Sequence, residues 1–453
     1  MRRNDFLKCT AVTVAGGIIL PLASCSTRPP SALVESPGVR QNWAGNYTYR
    51  ADNLYEPTTV EEVQDLVHRL DRQKALGSRH CFNSIADSPE NQISTQKLNN
   101  MLGLDEARQT VDVQAGARYG DFAEELHARG YALHNLASLP HITVAGACAT
   151  GTHGSGVTNG NLATSVVSLN LVKADGELVT IDRKHPDFPA VVVGLGAFGV
   201  VTRLTLAVQP AFEVRQDVFT DLPLAAVTDH FQAIMSAGYS VSLFTDWMDG
   251  KVSEVWIKRR MDAAPDDLGD DFYGARAATE NLHPIAGLSN EAVSDQLGRP
   301  GPWYDRLPHF RMGFTPSAGK ELQSEYFVPR DRAVEALLAI EALRDQIHPH
   351  LMISEIRTIA ADEFWASPCY QQDSVAIHFT WKPDGPEVMA LLPRIEATLE
   401  PFGVRPHWGK LFTLEAATLR QRYPRLADFA ALADRYDPAG KFRNDFLKQR
   451  VFG

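Results

Sequence analysis

Gly194–Gly199 reads GLGAFG, the spacing of a dinucleotide fingerprint, and it runs directly into VVTRLTLAV. The fingerprint works only when a helix follows the glycines, because the helix N-terminus holds the pyrophosphate. Residues 200–208 instead alternate apolar and polar with a period of two, the pattern of a half-buried strand. This excludes a nicotinamide-binding Rossmann unit and leaves a glycine-rich turn before a strand. Such a turn can still touch a bound group.

The rest of the chain reads as α+β. Residues 58–70 form a helix, with Thr59 and Glu62 as a capping box and Val60, Val63, Val67 and Leu70 on one face. YGDFAEELHARG is a second helix closed by Gly130. SVVSLNLVKADGELVTI is a hairpin about Asp175-Gly176. The character changes near Phe212, where strands begin to mix with longer helices such as DRAVEALLAIEALRDQI. Residues 262–300 are loop-rich and acidic and read as a surface excursion. A length of 453 residues suits two domains, 44–211 and 212–420, with a segment 421–453 packing back on the first.

The N-terminus reads as a targeting segment. A basic start and an apolar run from Ala11 to Ala23 precede Leu22-Ala23-Ser24-Cys25. This resembles a bacterial lipobox, with residues 1–24 as signal peptide, Cys25 as the lipidated residue and 25–43 as a surface tether. The apolar run is short for a membrane span. RRNDFLK resembles a twin-arginine signal with one extra residue after the arginine pair, which leaves the export route open. That route carries folded proteins with cofactors in place. The expected location is periplasmic or outer-surface, held to the membrane only by lipid. The net charge is −11, which argues against nucleic acid and anionic membrane surfaces, and five cysteines make no disulfide framework.

Two glycine-rich segments carry the chemistry. HITVAGACATGTHGSG, His141–Gly156, has small residues and hydroxyls that let backbone N–H groups approach an oxyanion. GSRHCFN, from Gly77, sets a histidine in a tight turn. Two strands carry inward polar residues. In LMISEIRTIA, Glu355 and Arg357 share a face with Leu351, Ile353 and Ile359. The pair is either a structural ion pair or a polar-ligand site. If it is structural, removing Glu355 leaves Arg357 as an uncompensated buried charge. In VAIHFTW, Ala376, His378 and Thr380 face away from the core set Val375, Ile377, Phe379 and Trp381. RPHWGK sets His407 and Lys410 three apart.

With NWAGN, SVSLFTDW, GPWYDRLPHFR, SEIRT, AIHFTW, RPHWGK and DPAGKF, these strings resemble the vanillyl-alcohol oxidase/p-cresol methylhydroxylase superfamily. Within it the chain is similar to the alditol and xylitol oxidases, with D-arabinono-1,4-lactone and other lactone oxidases as the next relatives. The resemblance runs from about Asn42 to the C-terminus. It implies a two-domain flavoprotein: a p-cresol methylhydroxylase-type FAD domain and an α+β substrate domain. It implies FAD bound covalently from its 8α-methyl to His80. The other cofactor contacts it implies are Gly77, Ser78, Arg79, Cys81, Ser138, Thr143, Gly146, Ala147, Cys148, Ala149, Thr150, Val201 and His407. Cys81 is expected to point away from His80 if the stretch is extended. The resemblance implies polyol contacts at Ser138, Glu355, Arg357, Thr380 and Lys410, with His378 and Lys410 as the catalytic pair. Its implied reaction is oxidation of a terminal hydroxymethyl group, with dioxygen as acceptor. No metal enters the scheme, and a monomer is expected. Two alternatives stand beside it: an aldonolactone oxidase or dehydrogenase, and a periplasmic binding lipoprotein without catalysis.

Overall fold

The computed structural model describes residues 38–263, 268–314 and 320–453, all within the unit spanning residues 32–453. The signal-like segment and Cys25 lie outside the described residues. Among the described residues, no helix is long and apolar enough to cross a membrane.

Among the described residues the N-terminal half holds three sheets, one of them only the two-stranded pair Tyr131–Ala132 with Gln209–Pro210. Asn53–Tyr55, Asn91–Ser94 and Gln73–Leu76 form a small parallel sheet. The helix Val60–Arg69 buries Val63, Leu66 and Val67, and Thr59 caps it by accepting from Glu62 N at 3.2 Å. The Glu62 carboxylate takes the N–H of Thr58, at 2.6 Å, rather than that of Thr59. Five antiparallel strands follow in the order Met101–Asp105, Thr110–Gln114, Val200–Ala207, Val166–Val172, Leu178–Asp182. Along Val200–Ala207 burial alternates residue by residue, as its period of two requires. No helix follows the glycines of GLGAFG. Gly199, at φ +148°, lies so close to its neighbour strand that a Cβ would meet Val172 O at 2.3 Å. The glycine thus serves a close strand approach, which accounts for the false fingerprint.

The second half is organised by one large antiparallel sheet. Its central order is Glu213–Pro223, Lys251–Arg260, Ser240–Thr245, Leu351–Ile359, Ser374–Trp381, Leu322–Pro329. Helices Leu224–Met235, Ala333–Glu341 and Gly385–Leu399 bury apolar faces (Phe231, Leu337, Leu392) in the main core with it. The helix expected over 331–347 breaks into Ala333–Glu341 and Arg344–Ile347, where Leu343 N bonds Ile340 O in a tighter i→i−3 turn. The loop-rich 262–300 stretch is not wholly superficial. It adds two short strands to the edge of the sheet, and His283–Ile285 return to line the central cavity. Asn444 Nδ2 donates to the carbonyls of Ser84, Ile85 and Asp87, which ties the C-terminal segment to the first half.

Candidate active site

One cavity runs between the glycine segments and one buried polar face of the large sheet. Every described residue singled out from the sequence lines it: Gly77, Ser78, Arg79, His80, Cys81, Ser138, Thr143, Gly146, Ala147, Cys148, Ala149, Thr150, Val201, Glu355, Arg357, His378, Thr380, His407 and Lys410.

At one end the 77–81 turn is built to face an anion. Arg79 takes φ +65°, and alternation into the left-handed region makes successive N–H groups converge. Among the described residues, the N–H groups of Ser78, Arg79, His80 and Cys81 find no protein acceptor. A Cβ on Gly77 would meet Thr143 Oγ1 at 2.4 Å, so only glycine lets the two segments close. Ser78 Oγ joins them by accepting from Thr143 N at 3.2 Å. The turn is therefore not extended at Arg79, and Cys81 lines the same cavity as His80.

The 141–156 segment differs from its expected role. Its small residues wind into a short helix, Val144–Ala149. The N–H groups of Val144, Ala145 and Ala147 already bond Ala117 O, Ala115 O and Thr143 O. Few of its amides remain for an anion, so the segment acts more as a smooth wall. The 77–81 turn is the better cradle.

His80 stacks on Trp43, with ring centroids 4.9 Å apart, and Trp43 N donates to Arg79 O at 2.9 Å. Burial, with His141 and Arg79 nearby, lowers its pKa to about 4, so the ring is neutral with a free nitrogen lone pair. A glycine-dependent cradle, unpaired N–H groups and a neutral histidine on one wall fit an FAD.

The other end is made by register. Glu355, His378 and Glu325 face one another across three adjacent strands. Glu325 is the hub. It is 1% exposed, accepts from Arg357 Nη2 at 2.9 Å and Lys410 Nζ at 2.6 Å, and lies 3.3 Å from His153 Nε2. Burial favours its neutral form, but Lys410, then His153 and Arg357, outweigh burial and hold it well below the usual carboxylate range. Glu355 is likewise pushed up by burial but held down by Arg357 first. Arg357 also reaches Ser138 Oγ at 3.3 Å. Its nearer carboxylate is Glu325, since Glu355 stands 3.4 Å from its Nε. The expectation that loss of Glu355 strands Arg357 is therefore corrected: Glu325 remains as counter-ion.

His378 joins Lys410 to Thr380. Its Nδ1 lies 2.7 Å from Lys410 Nζ and its Nε2 lies 3.1 Å from Thr380 Oγ1. Burial, then the Lys410 charge, lowers its pKa to about 3, so it is neutral. A neutral imidazole with both nitrogens engaged can take a proton on one side and release one on the other. Burial also lowers Lys410. The 77–83 turn fixes the Lys410 loop, since Asn83 Nδ2 donates to Trp408 O at 2.9 Å and Lys410 O at 2.7 Å.

Glu325, His309 and His153 were not singled out from the sequence. SEYF carries the same signal as SEIR, an acid among apolar residues on a strand, and the same alternation argument applies to it. His309 sits in a loop, where no periodicity exists to read.

A model described as FAD binding domain matches residues 51–182, and one described as D-arabinono-1,4-lactone oxidase matches residues 316–450. The chain is 50% identical over 415 residues to an alditol oxidase of Streptomyces sp. (strain IKD472 / FERM P-14339), covering 91% of this chain and 99% of that protein. It is 30% identical over 443 residues to an L-gulono-1,4-lactone dehydrogenase of Mycobacterium tuberculosis, covering 91% and 98%. A crystal structure of cholesterol oxidase from B. sterolicum shares the fold at a TM-score of 0.75 and 16% identity, covering 96% of this chain and 100% of that one. The sequence match along nearly the whole chain, over a cavity that fits FAD at one end and carries a charged polar wall at the other, places it in a family. The chain belongs to the alditol oxidase branch of the FAD-dependent vanillyl-alcohol oxidase/p-cresol methylhydroxylase superfamily.

Proposed function

We propose that this protein oxidises the terminal hydroxymethyl group of sugar alcohols such as xylitol and sorbitol to the aldose, reducing dioxygen to hydrogen peroxide. The observation that carries the reading is the polar wall of Glu355, Arg357, Ser138, Thr380, His378 and Lys410, gathered on one side of the FAD cavity. FAD held by the 77–81 turn and His80 would supply the two-electron chemistry, as hydride acceptor from the carbinol carbon and electron donor to dioxygen. The protein supplies the rest. Glu355 accepts hydrogen bonds from the polyol hydroxyls, and Arg357 and Ser138 donate to them. The hydroxyl proton passes to His378 Nε2 as the Nδ1 proton passes to Lys410 in its unprotonated form, which burial favours, and Glu325 balances the ammonium that results. Two carboxylates in the cavity favour a ligand rich in hydroxyl donors, which a polyol offers more of than a lactone. A steady-state screen of alditols and aldonolactones with peroxide detection tests this. Turnover of lactones alone would reverse the assignment.

Glu355→Gln is expected to lose charge-assisted hydrogen bonds of about 1.5–3 kcal/mol each. That is about 10- to 150-fold in kcat/KM per bond. The loss should appear for long and short alditols alike, with FAD content unchanged. Stability should fall less than on loss of Glu325, since Glu325 still pairs both Arg357 and Lys410. A variant that melts much earlier yet keeps wild-type kinetics refutes the recognition role.

The FAD is attached covalently through His80. The neutral ring on the cavity wall supports this, because only an unprotonated nitrogen can form the bond to the 8α carbon. Acid-denatured wild-type protein should carry yellow fluorescence in its gel band, and His80→Ala should release all its flavin. Fluorescence that separates from the wild-type band would sink the idea.

The mature protein begins at a lipidated Cys25 and is tethered outside the cytoplasm. Leu22-Ala23-Ser24-Cys25 after an apolar run supports this. Mass spectrometry of the native N-terminus should find an acylated cysteine. An intact Met1, or a cleaved chain without lipid, would overturn it.

A further inference from the structure

We infer that Lys258, acting through His309, is a positioning residue that fixes one oxygen of Glu355 and leaves the other for substrate. Lys258 lies on the Lys251–Arg260 strand, 1% exposed, outside the cavity. Its Nζ donates to Leu307 O at 2.6 Å and Pro308 O at 3.0 Å, and lies 3.1 Å from His309 Nδ1. An ammonium has three N–H groups and accepts nothing. These three neighbours match them one for one; burial lowers the Lys258 pKa to about 7, but the ionised Glu355 carboxylate can only accept, so His309 Nε2 carries the proton and Nδ1 accepts from Lys258. A neutral imidazole with Nδ1 unprotonated carries its proton on Nε2. That nitrogen lies 2.8 Å from Glu355 Oε1 and donates to it. Burial, then Lys258, lowers His309 to about 4, in keeping with a neutral ring.

The ring has no freedom to choose otherwise. Phe244 and Trp256 meet it edge-on, with centroids 5.5 and 5.1 Å away. The backbone N–H groups of His309 and Phe310 both donate to Ser138 O, at 3.1 and 3.2 Å. His309 is thus clamped between a buried cation and the cavity wall, beside the proposed substrate serine. Glu355 Oε1 receives His309 and faces Arg357 Nε at 3.4 Å. Among the described residues no hydrogen bond reaches Glu355 Oε2. The relay therefore presents one carboxylate oxygen to the cavity in a set orientation.

The kinetic part of this inference rests on the polyol reading. The test compares wild-type holoenzyme with Lys258→Met, His309→Ala and the double variant, in xylitol kinetics, FAD content and nitrogen-15 spectra of imidazole-labelled protein without polyol. Lys258→Met should raise KM about tenfold, the order of one misplaced hydrogen bond, with kcat and FAD content nearly unchanged. The double variant should be no worse than His309→Ala alone, because both act through one contact. Wild-type His309 should show Nδ1 bare and Nε2 protonated, and Lys258→Met should lose that preference. Additive effects, or a fall in kcat at constant KM, would mean that Lys258 only staples the 307–308 loop. A wild-type His309 protonated on Nδ1 would overturn the relay even if Lys258→Met did not accumulate. Wild-type protein that oxidises no polyol would instead sink the function and leave the spectroscopic arm readable.

Discussion

Lys410→Met is expected to lower kcat for xylitol by about 10²–10⁴-fold, the range for losing a positioned proton-transfer group. Lys410 Nζ stands 2.6 Å from Glu325 and 2.7 Å from His378 Nδ1, so it is the inner end of the path that begins at Thr380. Methionine keeps the length of the side chain and removes the charge and the donors. His378 then keeps its Thr380 contact and Glu325 Oε1 at 3.8 Å from Nδ1, but loses the amine that takes its proton. On the proposed polyol reading, substrate hydroxyls would still meet Glu355, Arg357 and Ser138, so KM should move less than kcat. Glu325 keeps Arg357 as counter-ion at 2.9 Å, so the variant should fold and load FAD. Anaerobic single-turnover bleaching of the flavin by xylitol reads this step directly. A bleaching rate within about threefold of wild type would remove Lys410 from the chemistry.

That prediction draws on residues of two kinds. Lys410, His378, Thr380, Glu355 and Arg357 were legible because their strands alternate, or because RPHWGK resembles a known family. A period of two reveals which residues share a face, and here the shared face is the cavity. Glu325 was harder to see. In LQSEYFVP the acid stands alone, without the base two residues on that marks SEIR, although the strand alternates in the same way. Only its pairing with Ser374–Trp381 puts Glu325 opposite His378. Sheet order is a long-range property that local patterning does not encode. The same limit explains His309 and His283–Ile285, which reach the cavity from loops. It also explains the 77–83 turn: the sequence marked it as anion-facing, but not the left-handed Arg79 that shapes it. Glycine patterning gave the cradle its place and not its shape.

Glu325→Gln should be the most destabilising single change in the site, by about 3–5 kcal/mol, the cost of breaking a buried ion pair from one side. Glutamine keeps the shape. It removes the one negative charge that serves both Arg357 and Lys410. With the histidines neutral, the wild-type wall holds Glu325 and Glu355 against Arg357 and Lys410, and the charges cancel. The variant is left with an excess positive charge in a dry cavity. Arg357 cannot lose its proton, and it still has Glu355 at 3.4 Å. Lys410 can lose its proton, and its pKa, already lowered by burial, should fall further. The sign follows from linkage. Between the folded and unfolded pKa of Lys410 the unfolded chain binds the extra proton, so stability rises with pH across that window. The melting deficit of Glu325→Gln should therefore narrow as pH rises toward the ordinary lysine range. The sharper consequence is rescue. Glu325→Gln/Lys410→Met leaves only Glu355 and Arg357, a balanced pair, and should melt above Glu325→Gln despite carrying one more substitution. Thermal melts of the four proteins at two pH values decide it. A double variant as unstable as the two losses added together would show that Glu325 holds the wall by packing and not by charge.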